Sequence, residues 1–161
     1  MPNISTFLDV NARYTKRPVL IYPARNESYT FSDLLSRTNA LANALLAAGI
    51  GRGDRICIYL DNCPEHLIAY LASWRIGAVA VPANRAYREA ELLHAVSDSA
   101  ARAVVTDAAG EQAIREIREK VPALSAIISS GSPCAGALSL AEIFAGPDRL
   151  PAADCRFDDL C

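Results

Sequence analysis

Short apolar segments typical of buried strands recur along the middle of the chain at nearly constant spacing. They begin near residues 56, 78, 103 and 125, so successive starts are 22, 25 and 22 residues apart. Each interval has room for one helix and two short turns, which is the spacing of repeated βαβ crossovers. The segments are apolar throughout, as expected when helices cover both faces of a parallel sheet. The sequence therefore predicts an α/β fold of three layers with a mainly parallel sheet, and leaves the strand order open.

Helix signals fill the intervals between these strands. The longest helix is predicted over residues 31–48, because Thr30 and Asp33 form a capping box at its start and Gly49 supplies a left-handed stop at its end. Other helices are predicted over 87–98 and 108–120, from residue 64 and after residue 139, with a hairpin or a returning strand over 19–28.

Length and composition limit the class of protein further. At 161 residues and 17.3 kDa the chain is the size of one ordinary domain, and 52% hydrophobic against 21% charged residues excludes intrinsic disorder. The net charge of -2 gives no overall electrostatic sign of a nucleic-acid or anionic-lipid partner. The longest apolar stretches, residues 40–50 and 76–83, are too short to cross a bilayer, so no membrane span is predicted.

The cysteines bear on the compartment. They stand at positions 57, 63, 134, 155 and 161, an odd number without a C-x-x-C pair. This pattern indicates reduced thiols and favours a cytoplasmic protein.

A glycine-rich segment and the two histidines could be taken for parts of a binding or catalytic site. Neither has the sequence context that such a site requires. Gly49-Ile-Gly-Arg-Gly53 closes a helix and opens a strand, whereas a dinucleotide-binding loop follows a strand and opens a helix. His66 and His94 lie on separate predicted helices, without a carboxylate or thiol at metal-ligand spacing. The residues alone therefore predict no metal site and no complete active site.

Two arginines point more directly to a ligand. Arg85 and Arg88 stand beside Asn84 in the loop after a predicted strand, and ligands bind in such loops of parallel sheets. The alternative is an ordinary solvated surface, where arginines are common.

Several short segments also stand in a recognisable order over residues 7 to 107. They are Phe7-Leu8, Tyr29-Thr-Phe-Ser-Asp-Leu34, Gly49-Ile-Gly-Arg-Gly-Asp-Arg55, Asn62-Cys-Pro-Glu65, Gly77-Ala-Val-Ala-Val-Pro82 and Ala103-Val-Val105. In this order they resemble the opening of the AMP-forming acyl-CoA synthetases, the adenylate-forming superfamily. The resemblance continues loosely to the carboxyl terminus.

The resemblance implies a function and its cofactors. Members of the family convert a carboxylic acid and ATP to acyl-AMP and pyrophosphate, and then transfer the acyl group to CoA with release of AMP. ATP, Mg²⁺ and CoA are thus implied for a full-length member, and none is assigned to this chain alone. The family's ATP-phosphate loop, adenylation lysine and mobile carboxy-terminal domain have no counterpart in these residues.

Candidate CoA contacts come from the same resemblance. Some relatives offer arginines to the CoA phosphates, and one such position falls at Ala86 here, which leaves Arg85 and Arg88 as neighbouring substitutes. A second position falls near Arg115. No catalytic residue and no metal ligand is assigned.

These implications give a set of expectations. Residues 1–161 should form part of an AMP-binding-type domain, with 147–161 an irregular segment leading towards the missing phosphate loop. The chain is expected to be an amino-terminal fragment of an ATP-dependent acyl-CoA ligase, inactive by itself. Its partner would be the rest of the synthetase or a complementing polypeptide. The alternatives are a natural short binding or regulatory module, and an unrelated doubly wound nucleotide-binding domain, which the lack of a strand-to-helix glycine loop disfavours.

Overall fold

The computed structural model describes residues 3–14, 16–131, 135–150 and 152–154. Its elements in chain order are α1 (Thr6–Tyr14), β1 (Leu20–Tyr22), a 3₁₀ turn (Pro23–Arg25), β2 (Glu27–Tyr29), α2 (Phe31–Ala47), β3 (Arg55–Tyr59), α3 (Pro64–Arg75), β4 (Val79–Pro82), α4 (Glu89–Asp98), β5 (Ala103–Thr106), α5 (Ala108–Arg118), β6 (Ala126–Ser129), β7 (Leu138–Ser139) and α6 (Leu140–Phe144).

Five parallel strands form the central sheet, in the order β4-β3-β5-β6-β7. Ile58 of β3 lies opposite Pro82 on one side and Val105 on the other. The chain adds β4 to one edge of β3 and then crosses the sheet to add β5 to the other edge. The α/β fold with a mainly parallel sheet is confirmed, and the structure supplies the strand order.

Helices cover both faces of this sheet. On one face, α1, α2, α3 and α6 pack against side chains such as Ile56, Ile58 and Val105. On the other face, α4 and α5 pack against Cys57 and Val104. Neighbouring strand residues therefore point into separate cores, which explains why the middle of each inner strand is apolar on both faces.

Helix α2 has the capping box and the left-handed glycine that the sequence predicts at its two ends. The Thr30 hydroxyl accepts a hydrogen bond from the Asp33 amide at 3.2 Å, and the Asp33 carboxylate accepts one from the Thr30 amide at 2.8 Å. The Thr30 hydroxyl also donates to the Asp33 carboxylate at 2.7 Å, and this bond, with the one from the Thr30 amide, holds the pKa of Asp33 below its usual value. Gly49 has φ of 75°, the left-handed conformation that ends the helix.

The predicted hairpin is present, and an ion pair attaches it to helix α3. β1 and β2 pair antiparallel across the 3₁₀ turn. Arg25 of that turn donates to both carboxylate oxygens of Glu65 in α3, each at 2.7 Å, and from Nε to Glu27 at 3.0 Å. The hairpin is thereby attached to the first turn of α3.

The structure adds elements that the sequence pattern does not indicate, and corrects one detail. Helix α1, whose Phe7, Val10 and Tyr14 recur at helical spacing, and the two-residue strand β7 were not predicted. In α3 the pattern predicts Leu67 on the buried face, but its side chain is 37% exposed and Ala69 and Ala72 are buried instead. The preceding Pro64 sets the start of the helix, and small alanines let α2 and α3 approach closely.

Residues 147–150 and 152–154, which we call the strap, run across α2 and α3. Asn39 and Asn43 donate from their side-chain amides to the carbonyls of Asp148 and Pro147, both at 2.8 Å. The Ala153 amide donates to the carbonyl of Arg75 at 2.8 Å. Residues 151 and 155–161 of the predicted irregular segment lie outside the described residues, as does Cys134.

Candidate functional site

The carboxyl edge of the sheet contains a topological switch point between β3 and β5. After β3 the chain turns to α3 on one face, and after β5 it turns to α5 on the other. Adjacent strands whose connections diverge in this way leave a crevice, and ligands of open α/β sheets bind in such crevices. The candidate site is therefore the cluster of side chains at the ends of β3, β4 and β5.

Arg85 covers this crevice. It follows β4, and its guanidinium lies 4.6 Å from the centre of the Tyr59 ring at the end of β3. The same guanidinium donates to Asp107, the residue after β5, at 2.8 Å. Tyr59 in turn donates from its hydroxyl to the carbonyl of Tyr87 at 2.8 Å. One arginine thus links the loop after β4 to both strands of the switch point.

Electrostatics keep Arg85 charged in this position. Partial burial disfavours the charge, but the adjacent Asp107 carboxylate outweighs it and raises the pKa of the guanidinium. Among the described residues, the buried Arg85 Nε has no hydrogen-bond partner. The Arg85 side chain is therefore a cation beside the crevice, with one N–H donor that makes no hydrogen bond to the described residues.

Close packing holds the opposite wall of the crevice in place. The Thr106 hydroxyl donates to the Tyr59 carbonyl at 2.9 Å, which pins β5 to β3 at their ends. A Cβ on Gly110 in the first turn of α5 would meet Thr106 Oγ1 at 2.0 Å and Tyr59 Cδ1 at 3.0 Å. Glycine at this position lets α5 start directly against the ends of both strands.

Asp107 caps α5 as well as holding Arg85. Its carboxylate accepts a hydrogen bond from the Gly110 amide at 2.7 Å. The first turn of a helix favours negative charge, so this carboxylate serves two partners at once. Sequence reasoning missed both Asp107 and Tyr59. Their position directly after, and at the end of, two buried strands was the available signal.

The other two predicted arginines, Arg88 before α4 and Arg115 on α5, have contacts other than those of Arg85. Arg88 precedes α4 and is exposed, and its backbone amide donates to the Glu91 carboxylate at 3.0 Å. Arg115 on α5 donates to Glu111 at 3.0 Å and to the carbonyl of Ala135 at 2.6 Å. Both follow the strands that flank the switch point.

The other chemically active side chains that the structure describes do not form a reactive centre. Burial raises the pKa of Cys57 to about 12, and the pKa of Cys63 is raised to about 11, mainly for the same reason, so both are neutral thiols. His66 stacks on Tyr70 with ring centres 5.3 Å apart. Within the described ranges, no three His, Cys, Asp or Glu side chains are grouped to hold a metal ion.

A second concave surface lies along the strap. This groove of about 410 Å³ is lined in part by Asp9, Asn39, Arg75 and Asp148. Arg75 is almost fully buried and binds both oxygens of Asp9 as well as the carbonyl of Leu150. Ser36 donates to Asp148 at 2.9 Å. Asp9, Arg75 and Asp148 thus have structural partners, and their contacts attach α1 and the strap to helices α2 and α3.

The fold and this edge can be compared with known proteins. A family model described as AMP-binding enzyme matches residues 7–158. The chain belongs to this family. Among relatives of the AMP-binding enzyme family, 3-hydroxybenzoate–CoA ligase from Aromatoleum sp. (strain CIB) is 31% identical over 145 residues, which cover 89% of this chain and 27% of the relative. Medium-chain fatty-acid–CoA ligase from Escherichia coli (strain K12) is 30% identical over 158 residues, covering 94% and 28% respectively.

Solved structures of the family share the same fold. The N-terminal domain of FACL13 from Mycobacterium tuberculosis superposes with a TM-score of 0.85 at 28% identity, covering 99% of this chain and 40% of that one. The anthranilate CoA ligase AuaEII in complex with anthranoyl-AMP gives a TM-score of 0.88 at 23% identity, covering 99% and 30%. The chain thus spans between about a quarter and two fifths of the length of these relatives.

In the part of the chain that the structure describes, no helix combines the length and apolarity needed to cross a membrane.

Proposed function

We propose that this chain is the first α/β portion of an ATP-dependent acid–CoA ligase. The reaction would convert a carboxylic acid, ATP and CoA to acyl-CoA, AMP and pyrophosphate through an acyl-AMP. The match of the family model to residues 7–158 carries the proposal. The two relatives quoted above are both CoA ligases, and their acids differ, so the class of acid stays open.

The 161 residues are proposed to be insufficient for adenylation. They correspond to 27% and 28% of the two CoA ligases. Their described carboxylates do not form a cluster that would hold Mg²⁺ with ATP, and we derive no catalytic step from them. The rest of a synthetase, in the same chain or as a complementing polypeptide, would supply ATP and Mg²⁺ binding.

Pyrophosphate exchange tests this insufficiency. The purified 161-residue chain is incubated with ATP, Mg²⁺, labelled pyrophosphate and a panel of aromatic and aliphatic acids. We expect no labelled ATP above the blank. Exchange with any acid would show that these residues adenylate by themselves and would overturn the proposal.

Arg85, Arg88 and Arg115 are proposed to contact the phosphates of CoA. Guanidinium groups suit phosphate because they donate two parallel hydrogen bonds. Arg85 carries a donor without a partner, and Arg88 is exposed beside it in sequence. Arg115 would have to share its guanidinium with Glu111, which weakens its part in binding.

CoA affinity tests these contacts in the longest native form of the protein that contains this chain. Replacing all three arginines by alanine should weaken CoA binding about tenfold or more, since charge-assisted bonds to phosphate contribute about 1.5–3 kcal/mol each. The matched control replaces three other arginines, Arg13, Arg118 and Arg149, and should leave the affinity unchanged. Equal affinity of the two triple variants would refute the assignment.

A short binding module is the second candidate. The observation that favours it is the pair of closed cores, one on each face of the sheet, within these residues. Tight binding of CoA or of an acyl-adenylate by the 161-residue chain, without turnover, would favour the module over the ligase portion.

A cytoplasmic location is proposed as well. Cys57 and Cys63 are free thiols, and reduced thiols are typical of that compartment. Fractionation of source cells with an antibody to this chain would test it, and recovery from a secreted fraction would contradict it.

A further inference from the structure

Helix α1 and Ile4 just before it carry an exposed stripe of apolar side chains, in which Phe7 also packs edge-on against Phe31 of α2 with ring centres 6.1 Å apart. The stripe consists of Ile4, Phe7, Val10 and Tyr14, with exposed fractions of 58%, 40%, 55% and 81%. At about 100° per residue, Phe7, Val10 and Tyr14 lie within about 60° of one another around the helix. Leu8, which is fully buried, points to the opposite side. The stripe is therefore the outer face of a fixed helix.

The helix is held so that this face stays outward. Arg75, buried in α3, binds both carboxylate oxygens of Asp9 on α1. The Asn3 side-chain amide donates to the Ala153 carbonyl at 3.2 Å, and its side-chain oxygen accepts from the Ser5 amide at 2.9 Å. Rotation of α1 to bury the stripe would break the Arg75–Asp9 pair, which is costly because the guanidinium is buried.

The charged side chains next to the stripe in sequence are mainly basic. Arg13, Lys16 and Arg17 are all exposed at the carboxyl end of α1. Asp9 is the only acidic residue between positions 3 and 17, and Arg75 neutralises it. The overall charge of -2 conceals this local cationic group, since the acidic residues lie elsewhere in the sequence.

We infer that α1 is an interfacial helix that docks on an anionic lipid surface. Apolar side chains on one face with basic residues beside them are the pattern of helices that lie in the membrane interface. Tyr14 has the amphipathic ring that favours the headgroup level. A second copy of the chain would place the same cations opposite one another, whereas anionic headgroups complement them. The inference is independent of the proposed ligase activity.

Vesicle binding tests the inference without ATP, CoA or acid. The 161-residue chain is sedimented with vesicles of phosphatidylcholine alone and with vesicles containing phosphatidylglycerol. We expect binding to the anionic vesicles that falls as salt is raised, because exposed charges are screened. The double variant R13E/K16E should bind about 25-fold or more weakly, since each lost cation alone accounts for about fivefold.

Matched variants separate the stripe from the rest of the surface. V10D/Y14D removes the apolar face and should abolish vesicle binding, while L138D, an exposed apolar residue on β7, should not. R118E/K120E on and after α5 changes the charge as much as R13E/K16E and should leave binding unchanged. All positions are exposed or half-buried, and circular dichroism checks that each variant is folded.

Three results would overturn the inference. The first is the absence of binding to anionic vesicles. The second is equal loss in R118E/K120E and R13E/K16E, which would mean general electrostatic adsorption. The third is self-association that V10D/Y14D abolishes, measured by sedimentation equilibrium without lipid, which would make the stripe a contact between two copies.

Discussion

Single residues at the carboxyl edge of the sheet fix the geometry of the candidate site. Gly110 leaves room for Thr106 and Tyr59, while Asp107 holds Arg85 over the Tyr59 ring. The two interactions are coupled, because Asp107 both caps α5 and pairs with Arg85. A change of one side chain here should therefore affect both the stability of the fold and the site.

Gly110→Ala should destabilise the protein by about 1–2 kcal/mol. Alanine favours a helix by about 1 kcal/mol over glycine, but the new Cβ would meet Thr106 Oγ1 at 2.0 Å, and overpacking of this kind costs more than the propensity gains. Denaturant unfolding measures the difference. Gly51→Ala is the control, since a Cβ there meets nothing within 4 Å, and a similar loss in both variants would disprove the explanation.

Glu65→Gln should remove part of the acid sensitivity of the fold. Burial disfavours the Glu65 charge, but the hydrogen bonds from Arg25 outweigh it and lower the pKa of Glu65 below 4.5. A carboxyl whose pKa is lowered on folding stabilises the protein above its unfolded pKa, and this stabilisation is lost as the pH falls through the folded value. The variant should be about 1–2 kcal/mol less stable at pH 7 and equal to wild type near pH 3.

Unfolding free energies measured from pH 3 to pH 7 check this prediction. Exposed Glu119→Gln serves as the control and should follow the wild-type curve. A constant difference between Glu65→Gln and wild type at every pH would mean that the Arg25–Glu65 pair contributes nothing to the pH dependence.

At the scale of elements, side-chain amides of α2 bind the backbone of the strap, while Leu150 packs against the core. Asn39 and Asn43 are one turn apart on α2 and reach successive parts of the strap backbone. Bonds to backbone carbonyls depend on the course of the chain and not on which side chains it carries. This explains how a segment without a sequence period has a defined path.

The double variant Asn39→Ala/Asn43→Ala should loosen the strap without unfolding the domain. Trypsin cleavage after Arg149 should become about tenfold faster, because two amide–carbonyl bonds contribute roughly 1–3 kcal/mol together. Mass spectrometry of timed digests identifies the cut. Asn11→Ala is the matched control, since Asn11 makes the same kind of bond to Phe7 within α1, and equal acceleration there would contradict the role of the strap contacts.

At the scale of the whole molecule, both sheet faces are covered within this chain, although it spans only 27% and 28% of two CoA ligases of its family. Buried clusters on both faces of the sheet thus lie within these residues, while under the proposal above the reaction of the family needs further parts. The length of the native protein decides between a ligase portion and a short module.

An immunoblot of source cells should detect a band roughly three to four times the 17.3 kDa of this chain, as expected if the protein has the length of the CoA ligases. Intact mass spectrometry of the captured protein gives the same quantity independently. A single band at 17.3 kDa would contradict a single-chain ligase, and would leave a complementing polypeptide or a short binding module.

The sequence by itself determined the local elements and the fold class. The Thr30–Asp33 capping box and Gly49 predict α2 because the start and stop of a helix depend on neighbouring residues. The regular spacing of apolar segments predicts the parallel sheet, since crossover length is a local property of the chain. Arg85 was placed correctly after a strand for the same reason.

Only the tertiary structure decided what depends on distant partners. The strand order, the position of α1 and the path of the strap have no local signal, because Asp9 is held by Arg75 and Asp148 by Asn39, which lie far from them in sequence. The candidate site likewise depends on Arg85, Tyr59 and Asp107 meeting at the ends of three different strands. These contacts join residues of different strands, so no local period in the sequence predicts them.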